Sequence, residues 1–468
     1  MSGLVKSNAL TKDQALPLPQ DAMTRNPSRG TTYDLQSASR IRVAATAELR
    51  TAIEPLELQD VPQPAPMSKA MLNKERMYFV AMCFPLFLAG WNDASAGPLL
   101  PRMQATYHVG YAVVSLIFIS NCVGCVSAAL LNIWLTDIFG FGIVITFGAV
   151  CQSAAYCIQA PQPPFPLLVI SYCINGFGEA LQDAQSNGLV ASLPTNAVTK
   201  MSILHGVYGL GAFISPLVAT QFAQKHRWTF HFLTSLAVSL MTACTLAYVT
   251  RFKSQDELLG AIGTVHTEET PSTSEGSKLR QMMELKVVHL MALFIFVYVG
   301  VEVTIGGWIV TFIIHKRGGS ARAGYVSSGF FGGLTIGRVA LIWVNQKVGE
   351  RRVLYIYGLL CIALELTIWL VPSLIENAIA VALIGALLGP FYPIVMNVAS
   401  ALIPRRLLTG SIGWIASLGQ TGSAAFPFIL AVMAQKHGVQ VLQPLIVAMI
   451  VFLLGIWLFV APVSRRTE

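Results

Sequence analysis

The sequence predicts an all-α membrane protein: twelve transmembrane helices arranged as two pseudo-symmetric six-helix bundles. Three observations carry this. Of 468 residues, 54% are hydrophobic and only 12% charged, at a mean hydropathy of +0.61; a soluble domain carries about a quarter charged residues. The apolar residues gather in runs of about 20, the length that spans some 30 Å of hydrocarbon. One long polar stretch divides six such runs from six. A soluble multidomain enzyme, a disordered regulator and a disulfide-stapled secreted domain are excluded.

In chain order, residues 1–76 mix Pro, Ser, Thr and both charge signs without periodicity, the composition of a disordered cytosolic tail. The tail lacks the apolar core of a signal peptide, so the first span is expected to act as the uncleaved targeting signal. Apolar runs at 78–100, 111–135, 142–160, 167–193, 201–222 and 228–249 make an N-terminal bundle, 77–250. Residues 251–286 form a Ser/Thr/Glu-rich linker. Runs at 287–314, 325–344, 353–371, 379–399, 411–433 and 441–460 make a C-terminal bundle, 287–462, followed by a short cytosolic tail, 463–468. At this length only helices satisfy their backbone polar groups in lipid.

An even number of spans puts both termini on one side. Linkers on that side carry Lys200, Arg251, Lys253, Lys347, Arg351, Arg352, Arg405 and Arg406, and the opposite side is poorer in basic residues. The positive-inside rule then makes the termini cytosolic. The formal net charge of +8 is topological, and no nucleic-acid partner is expected. All eight cysteines lie in apolar runs and read as packing residues, Cys122-x-x-Cys125 included. The plasma membrane is the expected location, with an internal membrane left open.

The halves repeat. Gly90-x6-Gly97 encloses Asp93 in the first segment, and Gly300-x6-Gly307 encloses Glu302 in the seventh. Gly211-x4-Pro216 in the fifth matches Gly422-x4-Pro427 in the eleventh. Gly178 to Asn187 in the fourth matches Gly389 to Asn397 in the tenth. Repeat interfaces are where transporters place their sites.

This layout resembles the major facilitator superfamily over 77–462. The signature between its second and third helices, G-x-L-a-D-R-x-G-R-[RK], is matched here at Leu135, Asp137 and Gly140, without the leading glycine or the basic residues. Gly176-Phe177-Gly178-Glu179, His205-Gly206-Val207-Tyr208, Gly389-Pro390-Phe391-Tyr392-Pro393 and Gly419-Gln420-Thr421-Gly422 are similar to the fungal bypass-of-stop-codon group and the fucose permease branch. The resemblance implies alternating access, with proton coupling through one carboxylate on helix 1 and one on helix 4. Asp183 fits the second position, and Asp93 lies about a turn from the first. It also implies a gating role for Asp137; Arg338, a cation in an apolar run, is expected to pair with an acid near the cytosolic gate as a structural latch.

Ionisable side chains inside apolar runs cost at least about 2.5 kcal/mol each and default to functional candidates. Glu179, Asp183 and Asn187 recur every four residues and share a helical face. The proton-coupling candidates are Asp183, Glu179, Asp93, Glu302 and His205. Glu179 as a structural acid, His205 as a packing residue and Asp93 as an acid already in water at the extracellular end stay open. Trp308, Tyr208, Asn187, Tyr392, Asn397 and Gln420 are candidate substrate contacts, aromatic faces mixed with amides; helix packing is the alternative for each aromatic. Glu365 has no assigned role.

No nucleotide-binding loop, catalytic constellation or metal-spaced histidine set is present in the sequence, so neither an enzyme nor a cofactor is expected. The chain is read as a monomeric, proton-coupled secondary transporter of a small organic molecule, leaning to efflux of a fungal secondary metabolite or toxic compound. Import of a sugar or similar nutrient is the first alternative, and a non-transporting sensor the second.

Overall fold

The computed structural model describes residues 67–264 and 280–460. Most of the expected N-terminal tail, the middle of the central linker and the C-terminal tail lie outside the described residues. The first bundle contains α1 (Lys69–Tyr107), α2 (Tyr111–Phe139), α3 (Phe141–Gln159), α4 (Phe165–Ala191), α5 (Ala197–Ala223) and α6 (His231–Thr250). The second contains α7 (Lys286–Arg317), α8 (Gly324–Ala340, continuing after a 52° bend as Ile342–Val348) and α9 (Glu350–Leu370). It is completed by α10 (Leu374–Leu402), α11 (Arg405–His437) and α12 (Leu442–Leu458).

Nine of these helices are long and apolar enough to cross a membrane, ten counting bent α8. The two outside that count are α1 and α4. They carry Asn92 and Asp93, and Glu179, Gln182, Asp183, Gln185 and Asn187. Polar side chains that face the protein interior lower a helix's hydropathy without exposing charge to lipid.

Helix α1 begins at Lys69, inside the expected tail, because the Ser68 hydroxyl accepts from the Met71 N–H at 3.2 Å. Within the expected linker, Gln255–Gly260 forms a short helix. Ser254 and Glu257 close a capping box there, and Leu258 and Leu259 pack into the core beside Tyr78 and Phe141.

The bundles repeat the same packing. α1 pairs with α5, α2 with α4 and α3 with α6; in the second half α7 pairs with α11, α8 with α10 and α9 with α12. A Cβ on Gly211 would overlap the Phe87 carbonyl of α1, and one on Gly422 would overlap the Phe296 carbonyl of α7. The loops after α2 and α8 also match. Ile133-Trp134 leads to Gly140 and Ile342-Trp343 to Gly349, with φ of 81° and 93°, each opening the next helix.

The halves meet through α1 on α7, α5 on α8 and α2 on α11. Gly97 lies against the Gly306 carbonyl. The Ala112 N–H donates to Gln435 Oε1 at 3.4 Å, Gln221 bonds the Tyr325 hydroxyl, and the Tyr111 ring sits 5.7 Å from Trp308. These contacts lie towards the membrane face away from the termini, and others run deeper, where Thr335 lies against Gly209 and the Phe213 ring against Gly332.

On the terminal side, ahead of the apolar segment, Glu75 is buried and accepts from Thr195 and Lys200. Burial would raise its carboxyl, but the Lys200 and Thr195 hydrogen bonds and the ammonium charge outweigh it and hold the group below its ordinary 4.5. A lowered folded-state value contributes stability above the unfolded value, lost as pH falls through the folded one. The thermal midpoint in detergent is therefore expected to drop on acidification below 4.5. A Glu75→Gln protein with the same acid-side drop would remove Glu75 as its cause.

Candidate functional site

The site is assembled on α1. Trp91 and Ser95 turn towards α5 and α6: Trp91 Nε1 donates to Ser235 Oγ at 3.0 Å, and Ser95 Oγ lies 2.7 Å from Ser215 Oγ and 2.9 Å from His231 Nε2. With those two anchored, Asn92 and Asp93 between them face the other way. Asp93 is enclosed by protein yet solvent-exposed, so it lines a cleft. One turn further on, Gly97 is buried against Gly306.

Opposite, the i, i+4 spacing of α4 presents Glu179, Asp183 and Asn187. Asn92 Nδ2 donates to Glu179 Oε2 at 2.8 Å, and the Tyr156 hydroxyl to Asn92 Oδ1 at 3.4 Å. Tyr208 donates to Asp93 Oδ2 at 2.8 Å, and Asn187 Nδ2 to Asp183 Oδ1 at 2.9 Å. Asp93 and Glu179 interact electrostatically, with Asp183 and Glu302 also in range.

From the second half, Glu302 pairs with Arg338 at 3.6 Å. Tyr298 stands beside that pair, its ring stacked on Phe391 and its hydroxyl bonded to the Leu388 carbonyl. Tyr392 lies in electrostatic range of Asp183, Glu302 and Arg338, and His205 in range of Arg338.

Seven residues singled out from the sequence thus come together: Asp93, Glu179, Asp183, Tyr208, Glu302, Arg338 and Tyr392. Arg338 meets its acid, Glu302, in the middle of α7. Asn187 is spent on Asp183. Gln420 is exposed on α11, where its backbone carbonyl accepts from Cys122 Sγ at 3.9 Å. Three residues lie elsewhere. Trp308 is fully buried against Tyr111; Asn397 donates to Glu350 Oε1 at 2.9 Å, where α9 begins; and Asp137 is exposed at the end of α2 without an ion pair among the described residues. Asn92 and Tyr156 join the site without a mark in the sequence: a neutral side chain in an apolar run carries no cost signal comparable to a charge. Glu365 is buried on α9, with Oε2 unpartnered among the described residues. No group of three or more His, Cys, Asp or Glu among the described residues is arranged to hold a metal.

The Major Facilitator Superfamily profile matches residues 82–427. The chain belongs to that superfamily. It is 26% identical over 390 residues to Bypass of stop codon protein 6 of Saccharomyces cerevisiae, covering 77% of this chain and 78% of that one. It is 20% identical over 382 residues to the glucose/mannose transporter GlcP of Bacillus subtilis, covering 79% and 91%. Among solved structures, the D-xylose-proton symporter superposes with a TM-score of 0.69 at 13% identity, covering 83% of this chain and 98% of that one; that likeness shows the fold. The protein is a multi-pass membrane transporter of this superfamily.

Proposed function

We propose that the chain is a proton-coupled secondary transporter working by alternating access, with its termini on the cytosolic side of the plasma membrane. In this reading 77–250 and 287–462 are the two rocking bundles, 251–286 links them, and one copy suffices. The observation that carries it is the Asp93–Asn92–Glu179 network between α1 and α4, carboxyls held together inside the membrane-spanning region. A carboxyl pair that shares a proton in one state and parts in another loads and releases that proton as the bundles rock. Asp183 and Glu302 supply further protonatable groups. His205 lies beside Arg338 and completes the coupling set. Tyr208, Tyr392 and Gln420 face the substrate. Asp137 and the Asn397–Glu350 contact sit where the terminal-side opening would close.

Efflux of a small organic molecule is the favoured direction, because aromatic side chains and carboxyls outweigh free amides around the cleft. Sugar import is the second reading, favoured by the likeness to GlcP and to the xylose symporter. Proteoliposome flux with a panel of sugars and metabolites, with and without an imposed pH gradient, tests both. Flux of every substrate indifferent to the gradient would sink proton coupling, and gradient-driven uptake of sugars alone would reverse the direction.

A further inference from the structure

The stretch of α1 that carries Asn92 and Asp93 is weakly held by its own backbone. Pro98 has no N–H for the Ala94 carbonyl, and Pro101 none for that of Gly97. The Ser95 hydroxyl donates back to the Trp91 carbonyl at 2.7 Å, a bond that loosens and bends a helical turn. The direction of Asp93 is therefore set from outside the helix.

α6 supplies the hold. Its first residue, His231, is fully buried, and buried Ser235 follows one turn later. They meet Trp91 and Ser95, also one turn apart on α1. The His231 ring stacks on the Trp91 indole at 5.8 Å with 1° between the planes, and the Phe222 and Phe232 rings stand edge-on at 6.1 and 5.9 Å. His231 Nε2 lies 2.9 Å from Ser95 Oγ, and Trp91 Nε1 donates to Ser235 Oγ at 3.0 Å. The single proton of Ser95 goes to the Trp91 carbonyl, so towards the histidine its oxygen only accepts. The imidazole then carries its proton on Nε2. Nδ1 is buried and has no partner among the described residues. A phenylalanine would stack on Trp91 without burying an unpaired nitrogen; what histidine adds is the bond to Ser95.

We infer that His231 is a positioning residue: from α6 it pins Trp91 and Ser95, and so turns Asp93, on the opposite side of α1, towards Tyr208 and the acids of α4. Its consequence for coupling rests on the transport reading above; the pinning itself does not.

Labelling of Asp93 by a water-soluble carbodiimide, read by peptide mass spectrometry on the full-length protein in detergent, reports how that carboxyl is presented. His231→Phe keeps a ring against Trp91 and drops the donor. It is expected to lower Asp93 labelling about fivefold, the bias that one buried hydrogen bond of typical net worth supplies. Ser95→Ala removes the acceptor instead, is expected to act the same way, and does not depend on His231→Phe folding. His231→Gln, whose side-chain amide still offers an N–H to Ser95, is expected to restore labelling. In proteoliposomes the pH profile of flux is expected to follow: shifted in His231→Phe and Ser95→Ala, unshifted in His231→Gln. Wild-type labelling in both His231→Phe and Ser95→Ala overturns the pin. Loss of labelling in all three variants with a lowered thermal midpoint makes His231 a packing residue and also overturns it. Labelling that follows the donor, beside wild-type flux indifferent to a pH gradient, keeps the pin and overturns proton coupling.

Discussion

Asp93→Asn is expected to abolish accumulation of substrate against its gradient while leaving exchange of substrate for substrate across the membrane. A pH difference of one unit is worth about 1.4 kcal/mol per coupled proton, hence about a tenfold concentration ratio. Asparagine keeps the volume and still accepts from Tyr208, so the α1–α5 contact survives. What it cannot do is take up and release a proton, the role proposed for Asp93 beside Glu179. Counterflow and pH-driven uptake, measured on the same liposomes, separate the two effects. Full pH-driven accumulation by the variant would remove Asp93 from the coupling set. Loss of both activities together, with a lowered thermal midpoint, would assign it to structure instead.

Much of this site was legible because charge is costly in lipid. Asp93, Glu179, Asp183 and Glu302 stand out in apolar runs by that rule alone, and the four-residue spacing on α4 placed two of them on one face. The partners were less legible. Glu302 and Arg338 lie 36 residues apart on different helices, and no periodicity relates positions across a helix pair. Aromatic residues misled for a related reason: a tryptophan in an apolar run is equally at home in a core or a cavity, and Trp308 sits in the core. Asn397 mirrors Asn187 in the repeat but meets the helix-opening Glu350 instead of a carboxyl on its own helix. The repeat preserves backbone packing, as at Gly211 and Gly422, and lets the polar cargo of each half diverge. The short helix at Gln255–Gly260 announced itself in Ser254-x-x-Glu257, a local signal hidden by the polar composition around it.

Arg338→Met is expected to cost the protein about 3 kcal/mol of stability, the lower end for breaking an enclosed ion pair, because it leaves Glu302 without its cation. The pair keeps side-chain exposures of only 21% and 10%, so solvent offsets little of the loss. Glu302→Gln alone strands the guanidinium and is expected to lower the thermal midpoint similarly. Combining the two removes both charges and is expected to recover most of that loss, since a neutral, well-packed pair replaces a desolvated ionic one. Transport is expected to follow a different course. If Glu302 and Arg338 only brace α7 against α8, the double variant regains flux along with stability. If they set the charge of the cleft, it folds and stays inactive, because the second half can no longer answer a change of protonation in the first. A coupling role for Glu302 requires the latter. Thermal unfolding and gradient-driven flux of the two single variants and the double decide between bracing and coupling, and full recovery of flux in the double would confine proton coupling to α1 and α4.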